Sequence, residues 1–372
     1  KLRGVISNGM ICSGRELAYN EDHEGILILD TKASLGAPIE NILRFNDDVR
    51  FDLDLTPNRG DCLSHIGVAR ELGIATNQNV IKKEYEVIED AKNTHDVISI
   101  KIEEQDACPR YIARVIQGVK VGPSPQWLVD KLESIGLKSI NNVVDAANYV
   151  LMDCGHPMHT FDLDNITGNT IKVRFAKKDE KFTTLDNVER KLNDFHLLIC
   201  DNEKPVALAG IMGGLHSEIT EATTNILLES AYFNPTVIRK GAKMLDLSTE
   251  ASHRFERDTD IEGLIPAVDQ LAQLIHETAG GVVLQGVVDE YPKKSKPQII
   301  NFSMERCNSL LGTNLNKKEF EKKLKSLQII IEEKNNSLEC TIPSFRNDLT
   351  REVDLCEEIA RVVGYNNIPS AN

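Results

Sequence analysis

The sequence has no close pair of cysteines, no long apolar run and no excess of basic residues. Its eight cysteines are at least 16 residues apart, so it lacks the CxxC spacing of redox motifs and zinc knuckles. No apolar run approaches the ~18 residues that a membrane-spanning helix needs. The chain starts at Lys1 without a signal-peptide pattern. We therefore expect a cytoplasmic protein with free, buried thiols and no membrane partner.

The charge balance is acidic, with 57 acidic residues against 43 basic ones and a formal charge of −14. This balance excludes a chain-wide basic surface for nucleic acid, although a local basic patch stays open. A hydrophobic share of 41% is typical of a globular protein that builds a real core. The length of 372 residues favours two to four domains. Because the pattern at Lys1 is typical of the middle of a structure, we expect a fragment whose true N-terminus is missing; the family resemblance described below implies that the other end is missing too.

Hydrophobic patterning near the start predicts strands and a first helix. Short apolar runs between Gly and Asp residues in 1–45 indicate the end of a β-barrel module. Strict alternation predicts a strand over 49–55, and Asp61 is expected to cap a helix over 62–76. The polar stretch 82–95 is expected to be a linker.

From residue 96 the pattern is mixed α/β. Ser124 is expected to cap a helix that has Pro125 at its first position and Trp127 on its inner face. A second linker is expected over 291–296. The other predicted strands cover 97–100, 170–175, 196–200, 206–208, 226–233, 329–333 and 337–342, and the other predicted helices cover 261–279, 316–327 and 351–363.

Two helix entries carry the same pattern. Arg59-Gly60-Asp61 precedes Ile66, Glu71 and Leu72 at offsets of 7, 12 and 13 from the arginine. Arg346-Asn347-Asp348 precedes Val353, Glu358 and Ile359 at the same offsets. This recurrence predicts a duplicated small fold.

Several ordered blocks resemble one family, the β subunits of bacterial phenylalanyl-tRNA synthetase. They are spread over nearly the whole chain and are specific together, although no single block is. The blocks are 51–65 (FDLDLTPNRGDCLSH), 138–150, 155–162 (GHPMHTFD), 207–214 (ALAGIMGG), 227–235 (LLESAYFNP), 249–257 (TEASHRFER) and 343–369.

The resemblance implies an α+β multidomain chain. Its expected parts are the C-terminal part of a tRNA-binding oligonucleotide-fold barrel (1–45), a first small winged-helix-like unit and linker (46–90), paired editing domains (91–291) and a second winged-helix-like module with a magnesium site (297–369). It further implies an α-subunit partner in an (αβ)₂ tetramer, and tRNA(Phe). Aminoacylation with ATP would reside on the α subunit. This fragment would retain at most hydrolysis of mischarged Tyr-tRNA(Phe).

Glu229 is the main candidate in the editing domains. It lies inside an apolar run, where an unpaired buried carboxylate is costly. The pattern alone leaves two interpretations: Glu229 binds a hydroxyl group, or it faces solvent from an edge strand. The resemblance matches it to the family's tyrosine-reading glutamate. A pocket that hydrogen-bonds a substrate hydroxyl rejects the analogue lacking it by ~10⁴–10⁵.

The resemblance implies further pocket residues. His159 would orient the ester or a water molecule, and Gly213 would line the amino-acid pocket, although its glycine-rich segment also fits a tight turn. A zinc pair of His156 and His159 is disfavoured because no cysteine or carboxylate completes it. The remaining expected pocket residues are Pro157, Asn148, Thr249 and Ala251.

Ala147 departs from the family pattern, which usually has threonine there. The missing hydroxyl removes one potential contact to the attacking water or the tRNA end. No Ser-His-Asp or Cys-His arrangement stands out, so we expect a positioned water to attack the ester directly.

Four acidic residues near the last helix, Asp348, Asp354, Glu357 and Glu358, match the family's magnesium site. Hard oxygen ligands suit Mg²⁺, but acids at a helix N-terminus also arise from capping and solubility. The first copy of the repeat has Gly67 and Arg70 in place of Asp354 and Glu357, so it should not bind metal.

Two rival hypotheses stay open. One is a non-catalytic tRNA-binding or scaffolding module, supported by the repeat and by five local bases. The other is a structural subunit whose editing has decayed, for which Ala147 is the only hint. The bases are Arg239, Lys240, Lys243, Arg254 and Arg257.

Overall fold

A computed structural model describes residues 6, 9–19, 22–29, 31–43, 49–81, 83–334 and 337–369, apart from the side chain of His216. It separates two units, residues 1–52 and 53–372. The structure is mixed α/β with several sheets, as the sequence predicts. Residues 44–48, at the expected boundary between the first two domains, and Lys82, in the expected linker, lie outside the described residues.

The described part of the second unit contains nine helices and sixteen strands. The helices are α1 (His65–Thr76), α2 (Gln126–Ser134), α3 (Asn142–Cys154), α4 (Pro235–Met244), α5 (Glu250–Phe255), α6 (Leu264–Ala279), α7 (Met304–Leu311), α8 (Lys317–Ser326) and α9 (Glu352–Val363). The strands are β1 (Glu89–Asn93), β2 (Ser99–Ile102), β3 (Arg110–Gln117), β4 (Met158–Asp162), β5 (Thr170–Phe175), β6 (Lys181–Thr183), β7 (Glu189–Lys191), β8 (Leu197–Cys200), β9 (Pro205–Leu208), β10 (Met212–Gly213), β11 (Asn225–Tyr232), β12 (Val282–Gln285), β13 (Val288–Glu290), β14 (Ile299–Phe302), β15 (Ile330–Lys334) and β16 (Ser337–Thr341).

The described residues of the first unit form one short 3₁₀ helix, Ile39–Asn41, and no strand. The strand predicted over 49–55 is wrong, because this segment joins none of the sheets of the described chain. Val49 and Phe51 are 68% and 78% exposed. Alternation supplies an apolar face, but a strand also needs a neighbouring backbone to bond, which alternation does not specify.

Two sheets pack face to face in the middle of the second unit. The larger has the order β1-β12-β3-β11-β4, with β13 also paired to β3, and the smaller has the order β10-β9-β8-β5-β2. Their shared core contains Tyr111, Phe161 and Leu227 from the larger sheet and Ile171 and Leu198 from the smaller one. This face-to-face packing buries one side of the larger sheet.

The opposite side of the larger sheet is covered by α3 and α6. Ile112 and Ile226 of the sheet share a second apolar core with Val150 of α3 and Leu271 of α6. Because successive residues of a strand point to opposite faces, the inner strands β3, β11 and β12 of the larger sheet contribute to both cores.

Two predicted helix starts need correction. The first helix begins at His65, because the Ser64 side chain accepts a hydrogen bond from the Gly67 amide, whereas residues 60–62 form a 3₁₀ turn. Ser124 does not cap α2, because its hydroxyl donates to Asp145 at 2.5 Å. Trp127 was expected inside but is 43% exposed.

The last part of the chain is a three-stranded sheet, β14-β16-β15, packed with α7, α8 and α9 around a core of its own. Both helix entries of the predicted repeat hold the same ion pairs. The guanidinium of Arg59 binds Asp61 at 2.9 Å and Glu71 at 2.5 Å. That of Arg346 binds Asp348 at 2.8 Å and Glu358 at 2.9 Å.

The expected linkers differ in outcome. Part of 82–95 is strand β1, which pairs in parallel with β12, so its linker prediction is partly wrong. Residues 291–296 contain no helix or strand, as predicted. All eight cysteines are free and six are buried. Within the described ranges, no helix combines the length and apolar character that crossing a membrane requires.

Candidate functional site

Glu229 is buried at the centre of the larger sheet. It lies on β11, which is paired with β3 on one side and β4 on the other, and it is only 6% exposed. The interpretation as a solvent-facing residue of an edge strand is therefore wrong. The antiparallel register places Glu229 opposite Ala113 on β3 and opposite His159 on β4.

A phenol group already binds this carboxylate. The hydroxyl of Tyr111 donates a hydrogen bond to Glu229 Oε2 at 3.0 Å. Tyr111 is fully buried and lies two residues before Ala113, so it shares the Glu229 face of the sheet. Burial raises the pKa of Glu229 to about 8, although the bond from Tyr111 works in the opposite direction. The site therefore holds its carboxyl group near the boundary between its protonated and ionised forms.

His159 lies beside Glu229 on the same face. Directly opposite residues of an antiparallel pair project to one side of the sheet, with Cβ atoms about 4.5–5.5 Å apart. Its ring packs edge-on against Phe161 with centroids 4.5 Å apart. Burial lowers the pKa of His159 to about 4, so the imidazole is neutral at pH 7.

Gly213 packs directly against the His159 ring. A Cβ atom at position 213 would lie 2.7 Å from His159 Cε1 and 2.9 Å from Nε2. Gly213 belongs to strand β10 and does not have a positive φ, so close approach rather than a tight turn explains the glycine. Pro157, which is buried, precedes β4 and so leads into His159. The structure thus brings His159 together with both Glu229 and Gly213.

Thr249 and Ala251 sit at the start of α5. The Thr249 hydroxyl donates to the Ile211 carbonyl at 2.9 Å and accepts from the Ser252 amide at 3.1 Å. It therefore caps α5 and ties that helix to the glycine-rich segment that contains Gly213. Ala251 is half-buried and packs against the core between the two sheets.

Asn148 is placed differently. It is half-buried on α3, the helix that covers the opposite face of the larger sheet from Glu229. Its neighbour Ala147 is 7% exposed and packs into that apolar core. The structure therefore does not place Asn148 on the face that holds Glu229 and His159.

Two residues near the site were not anticipated. Tyr111 had no assigned role, because β3 was not predicted; its only sequence signal is a tyrosine in an apolar segment that two arginines interrupt. His156 was assigned no role, yet it is 3% exposed and its Nε2 has no hydrogen-bond partner among the described residues. Burial lowers the pKa of His156 to about 4.

The four carboxylates expected to bind magnesium have other partners in this chain. Arg346 binds both oxygens of Asp348, at 2.8 and 2.9 Å, and also binds Glu358. The pKa of Glu358 is about 2, because hydrogen bonds from Arg361 and Arg346 outweigh its burial. Asp354 accepts bonds from the Thr350 and Arg351 amides, and Glu357 is exposed.

Among the described residues, the group whose ligand atoms lie within 4.8 Å of one another is instead Asp61, Cys62 and Glu71. The Arg59 guanidinium hydrogen-bonds all three side chains, so this group is neutralised by an arginine.

The five candidate tRNA-contacting bases fall into two sets. Arg254 and Arg257 are engaged inside the protein: Arg254 donates to the Leu63 carbonyl and Arg257 to the His253 carbonyl, each at 3.0 Å. Arg239, Lys240 and Lys243 lie exposed on α4. The exposed set is the surface that an acidic polymer can reach.

Domain comparisons match most of the second unit. Residues 107–280 match the B3/4 domain family, and residues 300–365 match the tRNA synthetase B5 domain family. The first covers β3–β11 of the two packed sheets with the Glu229 site, and the second covers most of the three-stranded sheet with α7–α9. This pair of domains is that of an aminoacyl-tRNA synthetase chain.

Relatives narrow this class to one family. The chain is 47% identical to the phenylalanine–tRNA ligase beta subunit of Syntrophotalea carbinolica over 99% of its own length and 46% of that relative. It is 48% identical to the protein of the same name from Geobacter metallireducens, with the same shares covered. The chain belongs to the phenylalanine–tRNA ligase β-subunit family. It spans somewhat less than half the length of these relatives.

One solved structure is also similar. It is an N-terminal fragment of the phenylalanyl-tRNA synthetase β subunit from Pyrococcus horikoshii, 18% identical, with a TM-score of 0.42. The likeness covers 83% of this chain and 85% of that one.

Proposed function

We propose that the Glu229 site hydrolyses the ester of mischarged Tyr-tRNA(Phe). The observation that carries the proposal is a buried carboxylate that accepts a hydrogen bond from a phenol hydroxyl, that of Tyr111, at 3.0 Å. A tyrosyl side chain differs from phenylalanyl by one such hydroxyl. The group that binds Tyr111 therefore has the chemistry needed to select tyrosine.

Selectivity follows from the burial of Glu229. A phenylalanyl group in the same pocket leaves the polar carboxyl group facing an apolar ring, and an unsatisfied buried polar group costs about 1–3 kcal/mol or more. A substrate hydroxyl binds the oxygen that Tyr111 leaves free, or displaces Tyr111. In either arrangement the tyrosyl group gains a hydrogen bond that the phenylalanyl group cannot form, so the pocket binds the tyrosyl group more tightly.

His159 supports a water-mediated hydrolysis. Its neutral ring, fixed between Phe161 and Gly213, offers a lone pair that holds a water molecule by hydrogen bonding. A base with a pKa of about 4 orients water better than it deprotonates it. We therefore assign His159 to positioning of the attacking water, with no covalent acyl-enzyme.

The other expected pocket residues stay predictions. Thr249 supports the site through the Ile211 carbonyl, and Ala251 through the core between the sheets. Asn148 lies on α3, across the larger sheet from Glu229, so a direct contact with the ester would need the tRNA end to reach that side.

The magnesium site also stays a prediction, and this chain alone fits the ion poorly. Arg346 already neutralises Asp348 and Glu358, and Arg351 binds Asp354, so Glu357 alone of the four has no arginine partner among the described residues. Ligands from a second chain would have to complete the shell.

The finer architecture is part of the same proposal. The sheet β14-β16-β15 with α7–α9 supports a winged-helix-like module over 297–369, repeated in part around α1. The oligonucleotide-fold barrel over 1–45, the α-subunit partner in an (αβ)₂ tetramer, the aminoacylation with ATP on that partner and the cytoplasmic location follow from the family alone.

Deacylation of Tyr-tRNA(Phe) beside Phe-tRNA(Phe) tests the proposal. We expect the chain to hydrolyse the tyrosyl ester selectively, and Glu229→Ala to lower that rate at least tenfold. The matched control is Glu221→Ala, which removes an exposed glutamate and should change nothing. Affinity for tRNA is measured in parallel.

Selective hydrolysis that survives in Glu229→Ala would refute the proposal. Equal tRNA affinity in both variants without any hydrolysis would support the scaffolding hypothesis instead. In that case the assay is repeated with the complete α and β chains, and failure there would reject editing at this site.

A further inference from the structure

A cavity of about 650 Å³ lies at a different place in residues 53–372. Glu229, His159 and Gly213 do not line it. It forms where α1, the end of α3, the loop before α6 and the loop before α9 meet. These loops are tightly joined: a Cβ at Gly60 would lie 2.4 Å from the Arg257 carbonyl oxygen.

Three polar atoms on the cavity-lining residues have no hydrogen-bond partner in the described chain. They are Arg70 Nε, His156 Nε2 and Thr259 Oγ1. His156 and Thr259 are 3% and 5% exposed. A buried polar atom without a partner costs about 1–3 kcal/mol. Three such atoms on residues that line one cavity therefore indicate that a group from outside the chain completes their hydrogen bonds.

Unpaired charges of both signs face the same space. The Arg70 guanidinium stacks on the Phe345 ring, 3.8 Å from its centroid, but forms no ion pair within the described residues. Asp258 and Asp260 likewise have no cationic partner there. Burial lowers the pKa of Arg70 and raises that of Asp258, as expected for charges without neutralising partners.

The rest of the lining is mixed. Ile66, Tyr149, Pro266 and Ala267 form its apolar and aromatic part. Its further charged and polar side chains are those of Asp61, Lys83, Asp153, Glu262, Gln270 and Ser344. A bare cation would satisfy the carboxylates but repel Arg70, and a bare anion would do the reverse. A small zwitterion with an apolar side chain satisfies both.

We propose that this cavity is a second ligand site, which binds a free α-amino acid with an apolar side chain. Arg70 binds the carboxylate, and Asp258 and Asp260 bind the ammonium group. Thr259 and His156 complete the polar contacts, and the side chain packs against Tyr149. The volume is in the range of small-molecule sites, roughly 300–1,000 Å³. The proposal is independent of hydrolysis at Glu229.

Isothermal titration of the chain with L-phenylalanine tests it, because the relatives are named for that amino acid. We expect saturable binding at one site. Phenethylamine, which lacks the carboxylate, and 3-phenylpropionate, which lacks the ammonium group, should bind at least tenfold more weakly. Glu229→Ala should bind L-phenylalanine like the unmodified chain, since Glu229 is outside the cavity.

Arg70→Gln and Asp260→Asn should each weaken binding at least tenfold. Asp260→Asn keeps the side-chain oxygen that accepts from the Glu262 amide, so it decides the question if Arg70→Gln fails to fold. Arg239→Gln, at an exposed arginine of α4, is the matched control. No binding up to about 10 mM, equal binding of phenethylamine, or loss of binding in Glu229→Ala would each overturn the proposal.

Discussion

At Glu229 the requirements of stability and of selectivity conflict. Ionising a carboxyl group between two packed sheets is unfavourable, and Tyr111 supplies a neutral partner, not a counter-charge. The pKa of about 8 measures that conflict. A carboxylate with an arginine partner and all its hydrogen bonds formed would be more stable. It would then gain nothing from a substrate hydroxyl and could not select for one.

The titration of Glu229 predicts how stability changes with pH. Its folded pKa, about 8, is above the ordinary value of 4.5, so between these values the folded state holds the proton more tightly than the unfolded state. Its contribution is therefore present below about pH 4.5 and is lost as pH rises through 8. Glu229→Gln, which cannot ionise, should match the unmodified chain near pH 5 and be more stable by on the order of 4 kcal/mol at pH 8.5.

Thermal unfolding of both proteins at several pH values measures this difference. The shared titrations of His156 and His159 cancel in the comparison, because both proteins contain them. Glu221→Gln, at an exposed glutamate, should show no pH-dependent difference from the unmodified chain. A stability gap for Glu229→Gln that is constant across the range would show that Glu229 does not titrate in the folded state.

Gly213 predicts a rate effect. In Gly213→Ala the new methyl group meets the His159 ring at 2.7 Å, so the ring must move away from the position where it holds water. We expect the rate of Tyr-tRNA hydrolysis to fall at least tenfold, with about 1–3 kcal/mol lost in stability. Gly122→Ala is the control, since a Cβ there meets nothing within 4 Å. An unchanged rate in Gly213→Ala would separate His159 from the chemistry.

At the scale of elements, local signals that depend on one residue and its neighbours were predicted well. The helix predicted over 316–327 is α8, which Asn316 caps with a full capping box, and the helix predicted over 261–279 is α6, which ends at Ala279 before Gly280. Ser124 has the same capping chemistry, but Asp145, 21 residues away, takes its hydroxyl instead. A cap is predictable only when no distant partner competes for it.

The central strand β3 is an element that local sequence signals did not predict. Its arginines at positions 110 and 114 interrupt the apolar pattern, so it was not predicted. Both are 5% exposed, because Arg110 binds Asp289 at 2.8 Å and Arg114 binds Glu89 at 2.7 Å. A buried arginine is stable only with partners from distant parts of the chain, and no local pattern identifies those partners.

The repeated ion pairs predict that replacing either of two arginines of the last module has very different effects on stability. Arg346→Met leaves Asp348 without its cation and Glu358 with Arg361 alone, in surroundings where the two carboxylate side chains are 10% and 7% exposed. We expect a loss of about 3–5 kcal/mol, measured by urea unfolding. Arg351→Met, which breaks the pair to Asp354 at a 74% exposed arginine, should cost at most about 1 kcal/mol. Similar losses would mean that burial does not control the value of these pairs.

At the scale of the whole molecule, the sequence predicted the family and the repeated helix entry. It did not predict which segments of the chain pack against one another. Glu229, His159 and Gly213 come together because β11 and β4 are paired in the larger sheet and β10 of the smaller sheet packs against them. The family resemblance named these residues, whereas their spacing along the chain did not. Asn148, named by the same resemblance, is on the far side of the sheet, and the cavity around Arg70 had no sequence signal at all.

Arg361 connects the two copies of the repeat by ion pairs. Arg361 of α9 binds Glu358 at 2.7 Å within its own module, and it also binds both oxygens of Glu71 on α1, where Arg59 binds too. A chain of alternating charges thus runs from Arg59 to Arg346 across the boundary between the copies. This continuity predicts that α1 and the last module unfold together.

A double-mutant cycle on Glu71→Gln and Arg361→Gln measures that coupling. Both side chains are about three-quarters buried, at 24% and 28% exposure, so we expect a coupling energy of about 0.5–3 kcal/mol in thermal unfolding. The same cycle on Lys101 and Glu103, at 66% and 37% exposure, should give a value close to zero. Coupling no greater than in this exposed pair would mean that loop packing alone joins the copies. Because the cavity around Arg70 is bounded by residues of both copies, a weakened joint should also lower the affinity of that cavity for L-phenylalanine.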